Sequence, residues 1–189
     1  GRITYSRPTR PLETQSIGKV DWQINQNQSL FGRYMLTTTF WDPPFANDGN
    51  LLSAWLGGRD SDGRSLAIGH TMVLSNTMVN NVRFTYHYTN VHRTHTPFFG
   101  PDDVGINSYS YVDDVTLIAV SNAFNLGPGT QLDSYYRPRT YAFSDDLTLI
   151  RGSHQLGFGG TLALNDWNTR TNSRWGGSFT INGGSTGLV

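Results

Sequence analysis

Between Leu66 and Arg93 apolar and polar side chains alternate, and in the second half they do so with almost no error. Val82, Phe84, Tyr86 and Tyr88 fall on one side of an extended backbone, and Arg83, Thr85, His87 and Thr89 fall on the other. That is a strand with one apolar, ring-rich face. The first half carries the period more weakly through Leu66, Ile68, Met72 and Leu74, and Ser75-Asn76-Thr77 to Asn80-Asn81 supplies turn chemistry between the halves. The pattern predicts a hairpin of two long strands. Each run covers about ten to twelve residues, against about five or six in a globular strand and about ten in a tilted strand that crosses a bilayer.

The same period recurs elsewhere. Val20, Trp22 and Ile24 oppose Lys19, Asp21 and Gln23, and the polar turn Asn25-Gln26-Asn27-Gln28 leads into Leu30, Tyr34, Leu36 and Phe40 opposed to Arg33, Thr37 and Thr39. Phe31 and Met35 interrupt the polar side of that second run. From Tyr135 the chain is extended again, with Tyr141, Phe143, Leu147 and Leu149 in one register. Asp145 shares it, which predicts a bulge or a near-interface position there. After Arg151-Gly152-Ser153-His154 turns the chain, Leu156, Phe158, Leu162 and Leu164 oppose Gln155, Gly157, Gly159, Thr161 and Asn165. A loop around Asn168 to Arg174 precedes a further strand from Ser178 to Asn182, with Phe179 and Ile181 on one face. Gly1 to Arg7 reads as the end of an earlier strand, stopped by Pro8 and Pro11.

Two stretches rich in Pro, Gly and Asp, Asp42–Gly63 and Thr94–Ser134, are far too long for hairpin turns. Within the second, Val115 to Val120 is apolar enough to pack as a short strand or a loop anchor. Connections therefore alternate between short and long, as in outer-membrane barrels with short turns on one rim and long loops on the other. The expected fold is all-β: an antiparallel up-and-down transmembrane barrel segment of about seven or eight long strands, one unit over residues 1–189, part of a larger barrel, with outer loops 42–63 and 94–134. On this reading Trp22, Tyr34, Phe40, Phe84, Tyr86, Tyr88, Tyr141, Phe143, Phe158 and Leu162 face lipid or its interface, and Arg33, Arg83, Thr85, His87 and Thr161 face the lumen. The rings, with Trp41, have two rival roles, as core rings of a soluble fold or as platforms for sugar.

Composition agrees with single apolar faces rather than a dry core. The apolar fraction of the 189 residues is 37%, below the about 45–50% usual in soluble domains, yet aromatics reach 13%. Formal charge is zero and Lys19 is the only lysine, so nothing points to nucleic acid. There is no cysteine, which fits an oxidising compartment reached without disulfides. No apolar run approaches the roughly eighteen residues of a membrane helix. No signal peptide stands at Gly1, so the N-terminus of an exported chain is expected to be mature, trimmed or internal.

Sharper chemistry finds little support. His87, His92 and His95 are close in sequence, but His87 and His92 have opposite parity on a strand. Asp60-Ser61-Asp62-Gly63 has the start of a calcium loop without the downstream bidentate Glu, leaving calcium at Asp60 and Asp62 the one candidate cofactor against a solvated turn. Asp102-Asp103, Asp113-Asp114 and Asp145-Asp146 are adjacent pairs that diverge in extended chain and form no acid/base dyad. Ser153-His154 has no acidic orienter. No enzyme activity is expected.

Four segments, Lys19–Tyr34, Asn76–Thr89, Arg137–Gly160 and Gly176–Gly187, resemble in order the barrel of TonB-dependent outer-membrane receptors, most closely the Oar-like group with a carboxypeptidase-regulatory-like N-terminal domain. The most specific block runs from Asp146-Leu147-Thr148 through Arg151-Gly152-Ser153-His154-Gln155-Leu156 to Gly157-Phe158-Gly159-Gly160. Such receptors are barrels of roughly 22 strands with an N-terminal plug. The resemblance implies a fragment of a receptor in a Gram-negative outer membrane, without the plug, the TonB box or the terminal aromatic strand. It implies membrane lipid, the rest of the barrel, the plug, TonB acting through that plug, and an unidentified ligand as partners. Two other readings stand beside it: a small closed outer-membrane barrel with a structural or adhesive role, and a soluble all-β carbohydrate-binding module.

Overall fold

The computed structural model describes residues 8, 10–41, 57–95, 97, 99–112, 114–127 and 132–184. The strand expected over Gly1–Arg7 and most of the first long loop lie outside the described residues. Among the described residues nine strands form: β1 (Leu12–Asn25), β2 (Gln28–Trp41), β3 (Gly58–Ser75), β4 (Met78–Thr94), β5 (Leu117–Val120), β6 (Phe124–Leu126), β7 (Leu132–Arg151), β8 (His154–Asn172) and β9 (Ser178–Ile181). Among the described residues no helix is long and apolar enough to cross a membrane.

Six long strands make one antiparallel sheet in the order β1-β2-β3-β4-β7-β8, so each pairs with its neighbour in the chain once β5 and β6 are set aside. This meander takes three hairpins with two-residue loops. Each loop has its own local chemistry. The Asn25 side-chain carbonyl accepts from the Asn27 amide at 2.9 Å, and the Ser75 hydroxyl accepts from the Thr77 amide at 3.2 Å. Gly152 has φ +61°, the left-handed first position of a type II′ loop. Adjacent hairpins are tied at the same rim, where the Val73 and Ile150 amides each donate at 2.8 Å to the carbonyls of Asn27 and Thr77.

Strand lengths exceed the expectation. β7 has 20 residues and β8 has 19, roughly twice the about ten needed to cross a bilayer at a tilt. Among the described residues six strands are long and three short, where about seven or eight long ones are expected of the chain. Asp42–Gly63 and Thr94–Ser134 shrink because β3 begins at Gly58, β4 runs to Thr94 and β7 begins at Leu132. Gly and Asp lower strand propensity, but Arg59–Gly63 has Trp41–Thr37 on one side and Arg93–Thr89 on the other, and a filled ladder outweighs the propensity. β8 likewise extends to Asn172, which leaves only residues 173–177 as the loop expected around Asn168–Arg174. At Asp145 no bulge forms, since Val82, Asp145 and Gly160 stay in continuous register. The carboxylate instead sits exposed, six residues from the Arg151 end of β7.

Ser178–Ile181 forms a strand, but not one of the wall. β9 pairs in parallel with β5, which pairs antiparallel with β6, making a separate three-stranded sheet. Both contributing segments leave the wall at its long-connection rim. Here lies the tightest packing of the described chain: Val115, Thr116 and Ser134 are fully buried, and Asn172 Nδ2 donates to the Asp133 carbonyl at 3.0 Å. Gly176 lies against the Val115 carbonyl so closely that a Cβ would collide with backbone. Gly176→Ala is expected to weaken this small sheet by about 1–3 kcal/mol. Hydrogen exchange at the Ser121 amide, which donates to Ile181 at 2.9 Å, should then accelerate while β3–β4 amides keep their protection; unchanged exchange at Ser121 would refute the close approach.

Candidate functional site

Because side chains alternate, register alone sorts the wall into two faces. Trp22, Tyr34, Phe40, Phe84, Tyr86, Tyr88, Tyr141, Phe143, Phe158 and Leu162 share one face, and Arg33, Arg83, Thr85, His87 and Thr161 share the other. Two transverse rows of the ring-rich face are apolar from edge to edge, apart from glycine. They run Gly18, Tyr34, Leu66, Tyr86, Tyr141, Leu164 and Val20, Gly32, Ile68, Phe84, Phe143, Leu162. Tyr86 and Tyr141 pack with ring centroids 5.1 Å apart, a pairing that adds about 0.5–1.5 kcal/mol beyond area burial.

Nothing among the described residues covers this face. Leu162 is 66% exposed, Trp22 60% and Phe143 50%, whereas Ala67, on the opposite face, and Val115, outside the wall, are buried. A soluble sandwich would seal these rings between two sheets. This face is apolar and bare.

The apolar character stops partway along each strand, and it stops on one row. Leu36, Arg64, Tyr88, Arg139 and Asp166 are successive cross-strand partners, and beyond them towards the long connections the same face turns polar, with Asp62, Asn90, Arg137 and Asn168. Phe40 belongs to the outermost of these rows, beside Asp60, with His92, Tyr135 and Arg170 following. This changeover is invisible to an alternation count, which scores each strand for period and not for where along it the apolar half ends.

On the opposite face the structure gathers Lys19, Phe31, Arg33, Ala67, Arg83 and Thr85 around a concavity of about 390 Å³. Its floor is small because Ala67 and Gly69 stand between the side chains of β2 and β4. The Phe31 ring fills the space over Gly69, where a Cβ would overlap it. That is why Phe31 tolerates a polar face: a neighbouring glycine offers it a flat apolar surface. Lys19 lies 5.9 Å from the Phe31 ring centre and 2.8 Å from Asp21, whereas Arg33 and Arg83 have no ion pair among the described residues. Arg33, Arg83 and Thr85 thus meet in one place, while His87 and Thr161 line the same face outside it. Alternation alone offered no reason to single out Lys19 or Gly69.

The other candidates separate. His87 pairs across from Ser65 and His92 from Asp60, on opposite faces, and His95 Nδ1 lies 3.2 Å from Asp133. Asp60-Ser61-Asp62-Gly63 is extended chain inside β3, and Asp62 pairs with Arg64 at 3.5 Å.

A meandering antiparallel sheet of very long strands, bare and apolar on one face and polar on the other, with short turns on one rim and long excursions on the other, defines a wall of a membrane β-barrel. The family described as outer membrane beta barrel domain matches residues 2–188, and the chain belongs to it. The protein accordingly resides in the outer membrane of Gram-negative bacteria and contacts membrane lipid. No match was found among curated proteins or among solved structures.

In a double-mutant cycle, Phe31→Ala and Gly69→Ala should couple by about 0.5–3 kcal/mol, because the ring and a Cβ compete for one space. Denaturant unfolding in detergent checks this: Gly69→Ala should be costly alone and nearly neutral once Phe31 is alanine, and additive effects would refute the contact.

Proposed function

We propose that this chain forms part of the barrel wall of a TonB-dependent receptor, a non-catalytic wall whose ring-rich face meets lipid tails and whose polar face lines the route of an unidentified ligand. The observation that carries the reading is the pairing of a bare apolar face with a cationic concavity behind it at Lys19, Arg33 and Arg83. In water the first would be a large aggregation surface. In a bilayer it is matched to its solvent, and the polar face is left for water, ligand or plug.

Two further facts support the receptor over a small closed barrel. The Asp146–Gly160 block, the most specific part of the resemblance to TonB-dependent receptors, builds the β7–β8 hairpin with its type II′ loop. Six wall strands also fall short of the about eight that close the smallest barrels, and β1 and β8 each keep an unpaired edge among the described residues. Unpaired backbone groups in hydrocarbon cost several kcal/mol each, so further strands complete the wall. The long connections, together with the β5-β6-β9 sheet, present the surface that captures ligand, and TonB acts through the plug.

Facing is tested by arginine insertion. Arg at Phe84 or Leu162 should impair assembly by roughly 2–4 kcal/mol near mid-bilayer, while Arg at Thr85 or Thr161 is tolerated; equal tolerance on both faces sinks the assignment. The transporter reading is tested by cross-linking intact outer membranes with the periplasmic domain of TonB. Capture of a polypeptide containing this barrel is expected, and its absence under conditions that capture other receptors favours a structural barrel.

A further inference from the structure

At the rim of the long connections the polar face of the wall breaks its own pattern. Trp41 ends β2, and the ladder sets Arg59 on β3 and Arg93 on β4 in one row with it. Tyr136 on β7 stands one row further in, opposite Val91, and Trp167 on β8 one row more, opposite Pro138. All five share the face of Arg33, Arg83 and Thr161. Rings hold the arginines: the Arg59 guanidinium carbon lies 5.6 Å from the Trp41 ring centre, and that of Arg93 lies 5.4 Å from the Tyr136 ring centre. On the ring-rich face Arg64 and Arg139 flank Tyr88 in the same manner, at 5.9 and 5.7 Å, but each has a carboxylate at hand, Asp62 at 3.5 Å and Asp166 at 3.7 Å. Arg59 and Arg93 have none among the described residues.

These rings have no lipid to meet. Trp167 is 69% exposed and Trp41 39%, on the side of the wall that faces water, where a bare indole is unfavourable until something apolar lies flat on it. Neighbouring strands are about 4.8 Å apart, so five positions on five successive wall strands make a rail that spans roughly 19 Å. An extended chain of repeating units fits such a rail better than one compact molecule. The C–H face of a pyranose ring is flat and apolar and stacks on indole or phenol, while cation–π contact orients the two guanidinium groups without neutralising them. Each can take a carboxylate or sulfate through paired hydrogen bonds. The carboxylate on these rows, Glu13, stands at the β1 edge opposite Thr39 and accepts from Gln15 Nε2 at 2.7 Å, so the stretch over β3 and β4 stays cationic.

We propose that Trp41, Arg59, Arg93, Tyr136 and Trp167 bind an acidic oligosaccharide, with sugar rings stacked towards the two ends of the rail and an acidic substituent at Arg59 and Arg93. The proposal rests on the receptor reading, in which the polar face is turned to water, and gives the ligand of that reading a chemical class. Position suits capture. The rail crosses the wall beside the long connections, which in bacterial barrels is the outer rim, and the concavity at Lys19, Arg33 and Arg83 lies deeper on the same face. An acidic peptide would satisfy the arginines but brings no flat apolar face for each ring.

The test uses the native protein extracted from outer membranes, with affinities measured by isothermal titration calorimetry in detergent. The probes are hexamers of galacturonate and of mannuronate and a chondroitin sulfate hexasaccharide, each beside its carboxyl-reduced, desulfated counterpart, together with hexaglutamate. At least one acidic hexamer should bind about tenfold more tightly than its uncharged counterpart, as a charge-assisted hydrogen bond allows. Arg59→Gln with Arg93→Gln should bring that hexamer down to the affinity of its counterpart. Trp41→Ala with Trp167→Ala should weaken both forms, by about tenfold, and Arg137→Gln on the other face should change neither. Three results with the unmodified protein overturn the proposal whatever the variants do to folding: no binding of any acidic hexamer, equal affinity for charged and uncharged forms, or equally tight binding of hexaglutamate. The underlying reading fails separately. A protein that prefers the acidic hexamer yet is not captured by TonB keeps the rail and loses the transporter, whereas one that is captured but shows no preference loses the rail alone.

Discussion

Inside hydrocarbon no water is available to a peptide group, so every N–H and C=O needs a partner within the protein. The meander of β1 to β4, β7 and β8 meets that demand along its length, since each inner strand is paired on both sides without a break through the rows that carry the apolar belt. Even the hairpin ends join in, with Asn27 and Thr77 accepting from the next hairpin. Side-chain composition is subordinate to this ladder. Glycines at Gly32, Gly69 and Gly160 and a carboxylate at Asp145 are carried in register because the backbone pairing, not strand propensity, decides where the chain is extended.

Along their length the long strands do two jobs. In the mid-strand rows of Tyr86 and Phe84 one face is apolar and the other polar, as suits a wall between two media. Past the row of Arg64, Tyr88 and Arg139 both faces are polar, so that half is suited to stand in headgroups and water. The small β5-β6-β9 sheet lies on the long connections, and Val115, two residues before β5, is an apolar side chain that is buried there.

Much of the wall was legible in the chain because a period of two survives wherever one face of a strand meets a different medium from the other. Val82 to Tyr88 and Leu156 to Leu164 keep it without help from neighbours. Legibility failed at Gly58–Gly63, where turn-forming residues sit in a ladder imposed from both sides, and at Ser178–Ile181, whose alternation is real but whose partner is a loop strand. Four residues carry too little pattern to name the sheet they join.

The sequence by itself therefore determined the faces: which side chains lie together, that they alternate, and that one set is apolar. Tertiary structure alone decided which residues become neighbours across strands. The concavity at Lys19, Arg33 and Arg83 and the guanidinium cluster around Tyr88 draw on strands whose relative register is fixed by hydrogen bonds between segments distant in the chain. Periodicity is a local property and survives reading one strand at a time, whereas register is a relation between two strands, and a slip of two residues would keep every face while dissolving both clusters.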